Sequence, residues 1–384
     1  MRLILIDGNE ANVDKTVGVS VYTSNLLSQF KRYASHDIRF LVYLRENPKL
    51  HLPRENQYFR YKVVWGPFMW LRFFLPLQMR IDYMWQRLRK VLILSNIRFH
   101  AFFAPAHYSP PWIPPNCKLV VTIHDLAYEF FPDEFLKKDL YKLHHWTIES
   151  VTKAHDIIAV SSHTRADIVK MYHIPEEMIH TIPNGLTPFK TTTPKQNMLI
   201  QGHDYKLVPY HYILYVGTLQ PRKNLTTLVY AFALFHKENP DYKLVIAGKK
   251  GWLYKEIFSL VHKLKLEDVV HIVGYVNELE KYHLYHKAFC FVMPSLYEGF
   301  GIPMLEAFSA GCPVIASNTS ALPEVGGTAA LYFEPKNANS LLDKLRMLEK
   351  DLKLRNELVE RGEARARKFS WEYCAENTLE ILLK

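Results

Sequence analysis

Short apolar runs alternate with helix-patterned stretches along the whole chain, and this alternation restricts the fold more than any other feature. Apolar runs bounded by turn residues read as buried strands, and a 3.6-residue apolar rhythm reads as helix. Strands are expected at 3–6, 38–44, 61–64, 99–104, 119–123, 157–160 and 178–182, with helices near 19–31, 77–94, 136–151 and 164–172. Periodicity lapses over 187–209 and then resumes, with strands at 212–216, 243–247, 269–273, 289–293, 314–316 and 331–333. Their helices lie near 225–238, 254–264, 278–286, 304–309, 338–348 and 352–368. Such an order implies parallel sheets covered on both faces by helices. At 384 residues the chain is too long for one ordinary core. The expected class is α/β, with two doubly wound domains facing across a cleft. The first spans 1–188, a linker 189–209, and the second 210–369. A closing helix over 370–384, begun by a Ser370 N-cap, is expected to dock back on the first domain.

Composition narrows the partners. Hydrophobic residues at 48% exclude a disordered chain, and a net charge of +10 favours anionic ligands or surfaces. The four cysteines (Cys117, Cys290, Cys312, Cys374) are far apart, which indicates neither a disulfide framework nor a zinc site and fits a reduced, cytoplasmic setting. The apolar start, Arg2 to Ile6, is broken by Asp7, too short for a signal peptide, and no run is long enough to span a bilayer.

The segment from Glu298 through Gly299, Phe300, Gly301, Ile302, Pro303, Met304 and Leu305 to Glu306 lies between two buried strands. Pro303 suits the first turn of a helix, whose leading N–H groups have no intrahelical partner and attract phosphate. Carboxylates beside an anion site make sense if the ligand also carries hydroxyls, as a sugar nucleotide does. Earlier in the same domain a strand ends at Gly217, and a turn then presents Arg222 and Lys223 ahead of a helix. Arg bridges two phosphate oxygens and Lys adds a compact charge, a pair suited to a leaving diphosphate. A solvated Arg-Lys pair is the plain alternative for these two residues taken alone.

In the first domain, Gly18 precedes a helix where backbone can approach a ligand, although a lone glycine more often only makes the turn. His124 and Asp125 end a strand; the histidine can meet sugar hydroxyls and the aspartate can orient its ring. The alternative is a His-Asp pair that ties down a loop. Neither a Gly-x-Gly-x-x-Gly nor a Walker A sequence occurs, which argues against a dehydrogenase or P-loop NTPase. Nor does any Asp-x-Asp occur, so a metal-independent site, without a cofactor, is expected.

Together, Glu298 to Glu306, Gly217 to Leu225, His124-Asp125, Gly18 and Pro183-Asn184-Gly185 resemble the retaining glycosyltransferases of family 4, which have the GT-B fold of two Rossmann-like domains. The resemblance implies that Arg222 and Lys223 bind the donor diphosphate. It implies that Glu298 accepts hydrogen bonds from the donor sugar, aided by backbone at Phe300 and Gly301, and that Glu306 holds the ribose. Main chain at Met304 and Leu305 would approach phosphate, Gly274-Tyr275-Val276 the base, and His124 the transferred sugar. It also implies same-face attack without a covalent enzyme intermediate. The first domain departs from the commonest pattern at Thr16-Val17-Gly18-Val19, where only one glycine stands. Within the family the motifs look most like GDP-mannose-dependent mannosyltransferases of bacterial surface-polysaccharide assembly, with glucose, galactose, N-acetylglucosamine and rhamnose donors as alternatives.

Aromatic and basic residues interleave over 65–98: Trp65, Phe68, Trp70, Arg72, Phe73, Phe74, Arg80, Trp85, Arg87, Arg89 and Lys90. That pattern suits an anionic membrane interface near a lipid-linked glycan acceptor. It equally suits an ordinary helix with its cations in water. A sugar-nucleotide epimerase and a basic nucleic-acid binder are weaker readings; no nucleic-acid motif supports the latter.

Overall fold

The computed structural model describes residues 1–14, 18–67, 69–93, 98–189 and 199–384. Outside them lie Thr16 and Val17 of the loop before Gly18, Phe68, and 190–198 of the aperiodic stretch; the side chains of Arg89 and Lys90 are also outside the description. The chain divides into two compact units, Met1–Gly185 with Ser370–Lys384, and Leu186–Phe369.

In the first unit β1 (Arg2–Asp7), β2 (Ile38–Leu44), β3 (Phe59–Val63), β4 (Arg98–Ala104), β5 (Lys118–Ile123), β6 (Asp156–Ala159) and β7 (Ile179–Thr181) make one parallel sheet in the order β3-β2-β1-β4-β5-β6-β7. Its helices are α1 (Val19–Tyr33), α2 (Leu75–Ile93), α3 (Ala127–Phe130), α4 (Lys137–Lys153) and α5 (Ser162–Tyr172). The chain winds outward from β1 to β3 and then returns to β4 on the other side of β1. The strand order therefore reverses between β1 and β4.

The second unit repeats the plan with β8 (Tyr212–Val216), β9 (Lys243–Ala247), β10 (Val270–Gly274), β11 (Cys290–Met293), β12 (Val314–Ser317) and β13 (Ala330–Phe333), in the parallel order β10-β9-β8-β11-β12-β13. Its helices are α6 (Leu225–Glu238), α7 (Lys255–Lys263), α8 (Glu278–Lys287), α9 (Ile302–Ser309), α10 (Leu322–Gly326), α11 (Ala338–Lys350) and α12 (Leu352–Ala366). Here the reversal falls between β8 and β11. Residues 199–209 belong to this unit: Gln201 N donates to Glu280 Oε1 at 2.9 Å, and Lys243 Nζ to the Tyr205 carbonyl at 3.1 Å.

The last helix, α13 (Trp371–Leu383), returns to the first unit. Ser370 caps it by accepting the Tyr373 N–H at 3.1 Å. Side chains alternate across a strand, so each sheet builds two cores. Ile4 and Ile6 of β1 pack with Phe30, Phe40, Trp371 and Leu382, whereas Leu5 packs on the other face with Phe102, Val121, Leu75 and Met79. Each such fully buried side chain contributes about 2 kcal/mol of transfer free energy. The four cysteines are buried and free.

Candidate active site

In open parallel sheets ligands collect beyond the carboxyl ends of the strands, where the strand order reverses. The loops after β8 and β11 of the second unit meet at that point. Pro221 opens a single tight turn after β8, and Asn224 adopts a left-handed conformation (φ 55°) before α6. Asn224 Nδ2 donates to the Pro294 carbonyl at 2.9 Å, which ties this turn to the loop after β11.

The tie brings Arg222, Lys223 and Glu298 together. Lys223 Nζ lies 2.5 Å from Glu298 Oε1, and Ser295 Oγ donates to the same oxygen at 2.6 Å. Arg222 Nη1 donates to the Tyr297 carbonyl at 2.6 Å and stands 3.7 Å from Glu298 Oε2. Backbone fixes the carboxylate from behind, since Glu298 N donates to Ser320 Oγ at 2.9 Å. Glu298 is buried, which by itself disfavours its charge. The adjacent Lys223 and Arg222 cations outweigh that effect and hold its pKa below the usual glutamate value. The result is an ionised carboxylate and two cations fixed in a largely dry setting.

Gly301 turns the chain into α9 with φ 111°, a conformation that an L side chain rarely adopts, and Pro303 takes the second helical position. The turn closes tightly enough for Met304 N to donate to the Gly301 carbonyl at 3.0 Å. That hydrogen bond shapes the helix start at which the resemblance places the main chain of Met304 and Leu305 near phosphate. Met304 and Leu305 are fully buried, and Phe300 stacks edge-on against Phe369 at 5.7 Å.

Glu306 sits on α9 and faces α8. Lys281 Nζ donates to Glu306 Oε1 at 2.6 Å and also lies 3.0 Å from Glu278 Oε1; Tyr285 OH approaches Glu306 Oε2 at 3.4 Å. Burial alone would lower the Lys281 pKa, but the two carboxylates reverse this and raise it. For Glu306 burial is the stronger effect and raises the pKa, with Lys281 pulling the other way. Neither Lys281 nor Tyr285 is apparent as a site residue in the sequence. The capping box of Asn277 and Glu280 is the signal that was available, because it fixes the register of α8 and places Lys281 and Tyr285 on one face.

Three glycines end the neighbouring strands β8, β9 and β10. Gly217 N donates to the Ala247 carbonyl at 2.9 Å and Gly248 N to the Gly274 carbonyl at 2.7 Å. A Cβ on Gly248 would stand 1.7 Å from the Gly217 carbonyl oxygen, so the two backbones meet only because no side chain intervenes. Beyond Gly274, Tyr275 is partly exposed, with Lys249 Nζ 5.1 Å from its ring centroid and its carbonyl accepting from Gln201 Nε2, while Val276 is buried.

The first unit has its own reversal point, and His124, just past β5, stands next to it. His124 Nε2 lies 2.8 Å from the Pro105 carbonyl, and the ring packs edge-on against Tyr22 at 4.8 Å. The Pro105 carbonyl meets Nε2, Asp125 Oδ1 accepts the Ala127 N–H at 3.0 Å, and the charge of Asp125 acts on the ring against burial. Burial, reinforced by His107, lowers the His124 pKa to about 4, so the imidazole is neutral at pH 7. Asp7, at the end of β1, has its pKa raised by burial to about 7, and burial raises that of Glu10 as well. His107, 5.8 Å from His124 between ring centroids, has a buried Nδ1 with no hydrogen-bond partner among the described residues. Asp7, Glu10 and His107 escape sequence reasoning, although a polar residue closing an apolar strand was a usable signal for Asp7. Gly18 caps α1 with φ 45° and open space where a Cβ would be.

Two parallel doubly wound sheets of this order, one after the other along the chain, are the two Rossmann-like domains of the GT-B fold. Two family models match: Glycosyltransferase Family 4 over residues 17–188 and Glycosyl transferases group 1 over residues 206–365. O-antigen chain mannosyltransferase B of Escherichia coli is 31% identical over 292 residues, which is 76% of either chain. O-antigen chain mannosyltransferase RfbU of Salmonella typhimurium is 26% identical over 276 residues, 71% of either chain. Among solved structures, Anabaena Alr3699/HepE in complex with UDP and glucose superposes with a TM-score of 0.73 at 17% identity, covering 100% of this chain and 99% of that one. The chain belongs to the family 4 glycosyltransferases.

Proposed function

We propose that the chain is a retaining, metal-independent hexosyltransferase that moves mannose from GDP-mannose to a glycan or lipid-linked glycan acceptor in cell-surface polysaccharide assembly. The carrying observation is the cluster of half-buried Lys223 with buried Arg222 and Glu298 at the β8/β11 reversal point. Two fixed cations stabilise a leaving nucleoside diphosphate without a divalent ion, in a setting where each charge acts strongly. Glu298, held ionised, accepts hydrogen bonds from donor sugar hydroxyls. Glu306 takes the ribose, and Gly274 to Val276 border the base. Neutral His124 serves the transferred hexose as a hydrogen-bonding partner that carries no charge.

In this reading the bond from the hexose C1 to the diphosphate oxygen breaks as an acceptor hydroxyl attacks the same face. The hydroxyl proton passes to the departing diphosphate oxygen. The mannose assignment draws on the two mannosyltransferase relatives. HepE, with UDP and glucose bound, is the specific reason to test uridine donors alongside guanosine ones. A melting-shift panel of nucleoside diphosphates and their sugars tests the donor, because a ligand that binds only the folded chain raises its Tm. GDP and GDP-mannose are expected to give the largest shifts; a larger shift with a uridine donor would overturn the mannose assignment. Transfer in excess EDTA, and an axial anomeric bond in the product by NMR, test the remaining claims.

A further inference from the structure

Helix α2 buries one apolar face and exposes another. Leu75 and Met79 enter the core beside Val64, Phe99 and Phe102. Asp82, the one acidic residue of α2, also points inward: it accepts Tyr43 OH at 2.9 Å and meets Lys62 Nζ at 2.5 Å. On the outer side, Leu77, Met84 and Leu88 recur at helical spacing, with Phe73 one turn earlier and Trp85 beside them; these five are 48% to 61% exposed. Trp65, just before the helical segment, is 78% exposed. Arg80 and Arg87 stand exposed among them. A helix whose outer side faced only water would carry polar residues there. This one presents large apolar side chains and cations, and its acid is turned away.

We propose that the outer face of α2, with Trp65, is a docking surface for a lipid bilayer containing anionic headgroups. Tryptophan favours the boundary between headgroups and acyl chains, where its ring sits in apolar surroundings and its N–H remains wet. Phe73, Leu77, Met84 and Leu88 insert shallowly, while Arg80 and Arg87 meet lipid phosphates. The absence of an outward carboxylate on this helix, together with the chain's net charge of +10, complements a negative surface. Among the described residues no helix is long and apolar enough to cross a membrane, so the contact is peripheral. The docking does not depend on which sugar is transferred.

Flotation of the full chain with phosphatidylcholine vesicles, with and without about one third phosphatidylglycerol, tests the surface. The anionic vesicles are expected to carry at least about ten times more protein. Met84→Glu with Leu88→Glu should lower that binding about tenfold or more, and Arg80→Gln with Arg87→Gln should remove the preference for anionic lipid. Both variants should keep the melting shift given by GDP, which shows that they fold. If neither pair of changes alters flotation, or the unmodified chain ignores anionic vesicles, the proposal falls. It falls equally if sedimentation shows a dimer that Met84→Glu dissociates, because the face then belongs to a second copy. Loss of the GDP shift in the unmodified chain, with flotation intact, would fault the donor assignment and leave this surface standing.

Discussion

The two strand-order reversals of this molecule treat charge in opposite ways. In the second unit, cations offset burial at the centre of the cluster: Glu298 meets Lys223 and Arg222 and stays ionised, and Lys281 stays charged between Glu306 and Glu278, although burial still raises the pKa of Glu306. In the first unit, burial prevails: His124 is driven neutral, and the carboxyls of Asp7 and Glu10 are pushed toward protonation. One fold plan thus holds a cluster of preset charge at one reversal and a cluster that resists charge at the other. The difference lies in which side chains close the strands, since the sheet orders are analogous.

The largest effect is expected from Lys223→Ala. Losing a fixed cation where negative charge grows should lower kcat/KM by about 10³-fold. The buried Glu298 carboxylate then loses its nearest cation, so stability should also fall, by about 3 kcal/mol in urea unfolding. The double variant Lys223→Met with Glu298→Met separates the two effects. Its stability should return to near that of the unmodified chain while activity stays lost. Recovery of activity as well would break the contrast between the units. Glu298→Gln comes next. It keeps the shape but leaves Lys223 and Arg222 without their anion, so transfer should fall about 10²-fold and the unfolding midpoint should fall as well.

Asp7→Asn probes the other side. The folded-state pKa of Asp7 is about 7, above its ordinary 3.8, so the folded chain binds more protons between those values. Its contribution to stability is therefore lost as pH rises through that window. Asparagine removes the cost of a buried charge, so the variant should be more stable than the parent at pH 8, by about 2 kcal/mol, and no more stable at pH 4. Equal stability at both pH values would show that Asp7 is as well compensated as Glu298.

Much of this was legible in the residues, and the rest failed for identifiable reasons. Strands such as β1, β5 and β8 announce themselves as apolar runs that end in a glycine or a polar residue, and the Ser370 cap marks α13. Which strand ends become neighbours depends on sheet order, a long-range property. For that reason Asp7, at the end of β1, and His107, just past β4, were not linked to His124. The pairing of Lys281 with Glu306 bridges two helices and has no local signature. The tight turn at Gly301, which takes up the Met304 N–H, depends on a left-handed glycine that a Gly-Ile-Pro sequence does not by itself specify.

The smallest effect expected is the acid sensitivity conferred by His124. Its folded-state pKa is about 4, against an ordinary 6.5. Between those values the unfolded chain holds a proton on this ring and the folded chain does not. Stability from this group is thus complete above pH 6.5, declines as pH falls through the window, and changes no further below pH 4. A ring that solvent partly reaches should give about 1–2 kcal/mol rather than the full linkage value. His124→Gln lacks the titration, so the gap in stability between it and the parent should narrow by that amount from pH 7 to pH 4. Asp7 titrates in the same range with the opposite sign, so the cleanest measurement uses the Asp7→Asn background, where the histidine slope stands alone. A constant gap there would mean that the Pro105 carbonyl, rather than burial, governs the ring, and that the first unit tolerates charge as well as the second does.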